Sequence, residues 1–241
     1  MVLGTPYSST PTTLPSPIAD FTGALQSSNG TITGTLRAFD GSTNPCVPLT
    51  QDLAVTGSDS SATSLSGTVN NLSLTVPIAN GTATITADLP QNLNSYITGS
   101  YQIVGGACTM PATPMIISQF ASATGTYTGT LNVVNQTTYL PIPGTATAIT
   151  AVLTQSAIPN ADGQFPLTGT VSANGACNAN LAFSNGIVFG NGILSQPLTG
   201  PSNPQGFFGG AIDPTATTFT GLFEAFSNCN NQEYQGTLTR Q

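Results

Sequence analysis

Eight short segments of this chain share one shape: an apolar residue, a spacer, glycine, a spacer and a second apolar residue. They are Tyr127–Leu131, Ile32–Leu36, Leu65–Val69, Ile97–Tyr101, Leu167–Val171, Phe219–Phe223, Tyr234–Leu238 and a looser copy at Phe21–Leu25. In a strand, residues i, i+2 and i+4 share a face. In Tyr127-Thr128-Gly129-Thr130-Leu131 the tyrosine, glycine and leucine therefore turn inward and the threonines outward. An inward glycine weakens a strand entropically, so its recurrence calls for a structural use. It leaves room for a large neighbour, or lets a strongly coiled sheet bend as a barrel requires. A phosphate-cradling loop would need a helix N-terminus after the glycine, and no segment shows helical apolar spacing.

These patterns imply an all-β chain: two tandem antiparallel meander modules, each a small up-and-down barrel or sandwich of about seven to eight strands. In the second half, strands are predicted over 125–134, 146–155, 165–172, 178–183, 186–194, 206–212, 217–226 and 233–239. Asn160-Ala161-Asp162-Gly163, Asn185-Gly186 and Asp213-Pro214 mark turns between them. Charged residues make up only 5% of the 241 residues, and the polarity comes from Thr, Ser, Asn and Gln.

The cysteines are Cys46, Cys108, Cys177 and Cys229. With no C-x-x-C pair and no histidine, a zinc site is not expected. An even, widely spaced set points to two disulfides in an oxidising compartment. Three connectivities are open, and free buried thiols are the alternative. An internal repeat favours one connectivity. Residues 19–46 align with 147–177, and 95–108 with 218–229, so Cys46 matches Cys177 and Cys108 matches Cys229. Pairing within modules then gives Cys46–Cys108 and Cys177–Cys229, with modules at 1–120 and 121–241. The extra residues between the first two cysteines are expected in a loop. The first module lacks a full opening strand. Only Met1-Val2-Leu3 is expected to pair there, leaving an edge open to a strand of another chain.

The tandem G-x-Y-x-G-x-L opening, the LTQ…DG-x-F-x-L-T-G-T-V hairpin, the late T-x-T-G strand before cysteine and the G-T-L-T-R-Q ending resemble predicted bacterial secreted lipoproteins built from two such modules. The resemblance implies export and an envelope location (periplasm, outer-membrane surface or secreted) and implies no activity. The chain shows no lipobox cysteine and no signal sequence.

Net charge is −7, with two arginines, Arg37 and Arg240, and neither lysine nor histidine. Nucleic acid is not an expected partner, since phosphate binding needs clustered cations. No apolar run is long enough for a transmembrane helix. The missing side chains exclude the Ser-His-Asp triad, Schiff-base chemistry and histidine general bases. A carboxylate-based glycosidase is a remote alternative, drawing on Asp20, Asp40, Asp52, Asp59, Asp88, Asp162, Asp213, Glu224 and Glu233. Most of these read as turn residues, and alternation places Glu224 outward. Asn160-Ala161-Asp162-Gly163 lacks the acidic spacing of a calcium loop. Asn29, Asn71, Asn80 and Asn135 stand in glycosylation sequons, with Asn29 and Asn80 better read as Asn-Gly turns.

No catalytic, cofactor-binding or metal residue is assigned, and no cofactor is expected. The expectation is a non-enzymatic, extracytoplasmic structural or interaction module of the cell envelope. The alternative is a lipocalin-like binder of a small apolar ligand, with an interior drawn from Phe183, Phe189, Phe207, Phe208, Phe219 and Phe223.

Overall fold

A computed structural model describes residues 2–6, 20–39, 52–64, 67–78, 81–89, 97–105, 109–189, 192–200, 205–226 and 229–241. The described residues form sixteen strands in two closed antiparallel barrels of eight. The first comprises β1 (Val2–Pro6), β2 (Asp20–Ser28), β3 (Thr31–Phe39), β4 (Asp52–Ser64), β5 (Gly67–Ile78), β6 (Gly81–Leu89), β7 (Ile97–Val104) and β8 (Met110–Gln119). The second comprises β9 (Gly125–Val133), β10 (Thr147–Gln155), β11 (Phe165–Gly175), β12 (Ala179–Phe189), β13 (Gly192–Thr199), β14 (Gln205–Ile212), β15 (Thr218–Ala225) and β16 (Glu233–Arg240). By proximity the chain divides into two compact units: Met1–Phe120 with Ala157–Gln164, and Ala121–Ser156 with Phe165–Gln241.

Each barrel is a meander whose last strand returns to its first. In the second, Tyr234 faces Val133 and Arg240 faces Tyr127. In the first, β1 pairs with β8 from Val2↔Gln119 to Pro6↔Met115, and with β2 from Val2↔Gly23 to Gly4↔Phe21. The short opening strand is therefore present, and it extends to Pro6, past the expected Leu3. β1 closes the barrel as a short strand: it meets β2 only at Phe21, Thr22 and Gly23, while β2 continues to Ser28. Val2-Leu3-Gly4-Thr5-Pro6 also repeats the glycine pentad at the start of the chain.

Two further expectations are corrected by β-bulges. Asn185-Gly186 is not a turn but lies inside β12. Leu167 faces Gly186 and Gly169 faces Phe183, so β12 spends one more residue than β11 between these pairs. The bulge absorbs the dipeptide without ending the strand. The end of β13, Ser195–Thr199, escapes prediction because it contains Pro197. The register slips between Ser195 and Leu198, and a bulge tolerates a residue with no N–H to give the ladder. The extra residues of the first module extend its strands as well: β4 and β5 have 13 and 12 residues, against 11 and 8 in β12 and β13.

Alternation fills both interiors. In the first barrel Phe21, Leu36, Leu74, Ile85, Tyr101 and Ile103 are among the buried core. Phe21 and Tyr101 meet with ring centroids 5.5 Å apart. The Tyr101 hydroxyl is fully buried and has no hydrogen-bond partner among the described residues, and burial raises its pKa. An unsatisfied buried hydroxyl costs about 1–3 kcal/mol. Tyr101→Phe is therefore expected to stabilise the first barrel by about 1 kcal/mol in chemical denaturation. Destabilisation of that size would show that the hydroxyl has a partner in solution.

The second interior holds Tyr127, Phe165, Phe208, Phe219, Phe223 and Tyr234, each 1% exposed or less. Phe208 and Phe219 stack at 4.7 Å. Fully burying such side chains contributes about 1.5–3 kcal/mol each. The glycines find their use here. Gly210, Gly221 and Gly236 face one another across β14, β15 and β16. A Cβ on Gly221 would overlap the Gly209 carbonyl oxygen and lie 2.8 Å from the Gly210 Cα and 2.6 Å from Cζ of Phe219. The sheet coils so tightly that neighbouring backbone occupies the side-chain position.

Candidate binding surface on the second barrel

The ends of the second barrel are closed by its own loops. Cys177, between β11 and β12, is joined by a disulfide to Cys229, between β15 and β16. Four strands separate these two junctions in either direction around the barrel, so the bridge spans the mouth. Beneath it, Thr147 is fully buried and accepts from the Cys177 N–H at 3.3 Å. Cys46 and Cys108 lie outside the described residues. At the opposite end, the β14–β15 turn folds over the opening. Ala216 is fully buried, and its carbonyl accepts from the Tyr127 hydroxyl at 3.2 Å.

That turn is built by Asp213. Its Oδ1 accepts from the Thr218 N–H at 2.5 Å, and its Oδ2 from the hydroxyls of Thr217 at 2.9 Å and Thr215. Partial burial pushes the carboxyl up, but the hydrogen bonds outweigh it and hold the pKa at about 2. Asn160 plays the same part between β10 and β11. Its Oδ1 accepts from the N–H groups of Asp162 and Gln164 at 3.0 and 2.9 Å. Both residues therefore serve as turn builders, the role expected of them. Asn29 and Gly30 have φ of 51° and 77°, as a two-residue hairpin turn requires. Asn80 and Asp40 lie outside the described residues. Asp20, Asp59 and Asp88, by contrast, lie on β2, β4 and β6. Asp52 opens β4 and accepts from Nε of Arg37 at 2.9 Å.

A concavity lies on the outer wall of the second barrel. Outward residues of β14, β15 and β16 form three cross-strand rows: Phe207–Glu224–Glu233, Gly209–Leu222–Gln235 and Ala211–Thr220–Thr237. An open groove of about 470 Å³ lies over them, lined by Phe207, Gly209, Thr220, Leu222 and Gln235, with Pro141 of the β9–β10 loop at its edge. Gly209 keeps the floor low, since a Cβ there would lie 2.7 Å from Cζ of Phe207. The same loop exposes Tyr139, Leu140 and Ile142.

The aromatics expected to line an interior divide accordingly. Phe183, Phe208, Phe219 and Phe223 are buried, Phe189 is 50% exposed, and Phe207 belongs to the groove. Phe207 fails as an interior residue because strand parity is set by Phe208, which is fully buried; two consecutive residues cannot both face inward. Glu224 is outward as alternation indicates. Its pairing with Glu233 across the β15–β16 hairpin is not evident from alternation alone, although both lie near the ends of strands joined by one turn. Burial and the Glu233 carboxylate raise the Glu224 pKa.

Comparison with family models, with curated proteins and with solved structures finds no match. The chemistry of this surface therefore rests on its geometry alone.

Among the described residues, two perturbed carboxyls set acid responses of opposite sign. Asp213 has a native pKa below its ordinary 3.8, so its stabilisation is complete above that value and is lost as pH falls towards about 2. Glu224 binds its proton more readily when folded, so its contribution grows as pH falls through its raised pKa. With no histidine to titrate, the thermal midpoint at pH 5 is expected to equal or exceed that at pH 7. The fall should come only below pH 3.8, and Asp213→Asn should remove part of it. A midpoint lower at pH 5 by about 10 °C, or more than about 1 kcal/mol, would contradict this assignment.

Proposed function

We propose that the protein is a non-enzymatic interaction module of the extracytoplasmic cell envelope that binds through the outer walls of its barrels and not through their interiors. The observation that supports this reading most is the closed second barrel. Six large aromatic side chains fill it, a disulfide crosses one mouth and a hydrogen-bonded turn closes the other. An eight-stranded barrel is just wide enough for its own side chains, and this one uses that width for packing. These packed side chains weigh against a lipocalin-like pocket in the second barrel.

The location is supported by the Cys177–Cys229 disulfide, since such bridges persist in oxidising compartments. Among the described residues no helix is long and apolar enough to cross a membrane. The second barrel is apolar inside, with Glu233, Gln235, Thr237 and Thr239 outward on β16, the reverse of a lipid-facing barrel. The weak surface charge, the closed sheets and the resemblance to secreted lipoprotein-type chains agree with a folded module exposed to an extracellular setting.

The test is a titration of the intact chain with a fluorescent fatty acid, alongside sedimentation with a bacterial envelope fraction and with a cytosolic fraction. The reading expects no stoichiometric fatty-acid binding and preferential sedimentation with the envelope. Stoichiometric binding that is lost on substituting Phe208 or Phe219 would restore the interior as the site.

A further inference from the structure

The ligand class of the outer groove follows from charge, given the reading that the walls carry binding. The chain contains two basic side chains, and both are engaged elsewhere. Arg37 binds Asp52 at 2.5 Å, and Arg240 donates to the Thr124 carbonyl at 2.5 Å. Glu224 and Glu233 nevertheless face each other on the outer wall, an arrangement that like-charge repulsion disfavours. Gln235, which lines the groove, donates to Glu233 Oε1 at 2.5 Å. The Phe207 side chain begins in the carboxylate row and its ring reaches over Gly209 in the next. The groove thus has an apolar floor and an aromatic ring, and the cross-strand row that begins at Phe207 places the two carboxylates beside its end.

We propose that this groove binds a monocationic ammonium compound with an apolar body. The apolar body occupies the cavity against Phe207, Leu222 and Pro141, and the ammonium sits at the Phe207 end, where the ring and the Glu224–Glu233 pair both attract it. Cation–π attraction and the carboxylates act on the same charged group. An anion of the same shape meets both carboxylates, and a neutral analogue forgoes both attractions.

The isotope-labelled intact chain, titrated with phenethylammonium chloride and followed by amide chemical shifts, tests this. Saturable binding near about 1 mM is expected, with shifts at Thr220–Glu224 and Glu233–Gln235. Phenethyl alcohol should bind about fivefold more weakly, and hydrocinnamate should not saturate. Phe207→Ala and the double change Glu224→Gln/Glu233→Gln should each weaken binding about fivefold without lowering Tm. Leu222→Arg, which supplies an internal cation, should abolish it. Absence of saturation at about 10 mM phenethylammonium, or equal binding of hydrocinnamate, would overturn the proposal. Shifts centred on Phe208 and Phe219 would instead overturn the reading that the interior is closed.

Discussion

Removing the Cys177–Cys229 bridge by the double substitution Cys177→Ser/Cys229→Ser is expected to destabilise the second barrel by about 4 kcal/mol. The bridge joins residues 52 apart, and constraining an unfolded loop of that length removes chain entropy of this size. Both cysteines are buried, at 1% and 3% exposure. They link the β11–β12 and β15–β16 connections, which no strand pairing holds together, so the mouth should loosen as well. Urea denaturation of the variant should show one transition displaced to lower concentration while that of the other barrel stays in place. A loss below about 1 kcal/mol would mean that the barrel wall alone fixes the two loops.

Gly221→Ala should be nearly as damaging, at about 3 kcal/mol, because overpacking beyond what a side chain can relieve moves backbone. The new methyl group would meet the carbonyl of Gly209 and the Cα of Gly210, both fixed in the β14 ladder. Thr239→Ala, on the exposed face of the adjacent strand, is the control and should stay within about 0.5 kcal/mol. If Gly221→Ala behaves like the control, neighbouring strands do not approach as closely as the register of Gly210, Gly221 and Gly236 indicates.

These two sites mark the boundary between what is local and what is not. The all-β class, the meander order and most strand positions are legible in the sequence, because period-two alternation and turn chemistry are local. Asn29-Gly30, Asn160–Gly163 and the Asp213 turn each act through their own backbone. The repeat that aligns Cys177 with Cys46 and Cys229 with Cys108 likewise needs no coordinates, and pairing within a module is observed for Cys177–Cys229.

Local signals failed where a neighbouring strand overruled them. Asn185-Gly186 has the composition of a hairpin turn, yet the facing Leu167–Gly169 segment carries it through β12 as a bulge. Pro197 reads as a strand breaker until the β13–β14 register places a bulge between Ser195 and Leu198. The glycine pentads indicate a coiled sheet, but not that a facing backbone occupies the side-chain position at Gly221. The groove was least legible of all. Phe207, Leu222 and Gln235 lie on three strands, and the facing of Glu224 and Glu233 depends on the register of the β15–β16 pair. Alternation decides which way each side chain points. Barrel closure and cross-strand register decide which side chains meet, because those contacts join residues distant in sequence through hydrogen bonds that each strand makes only with its neighbours.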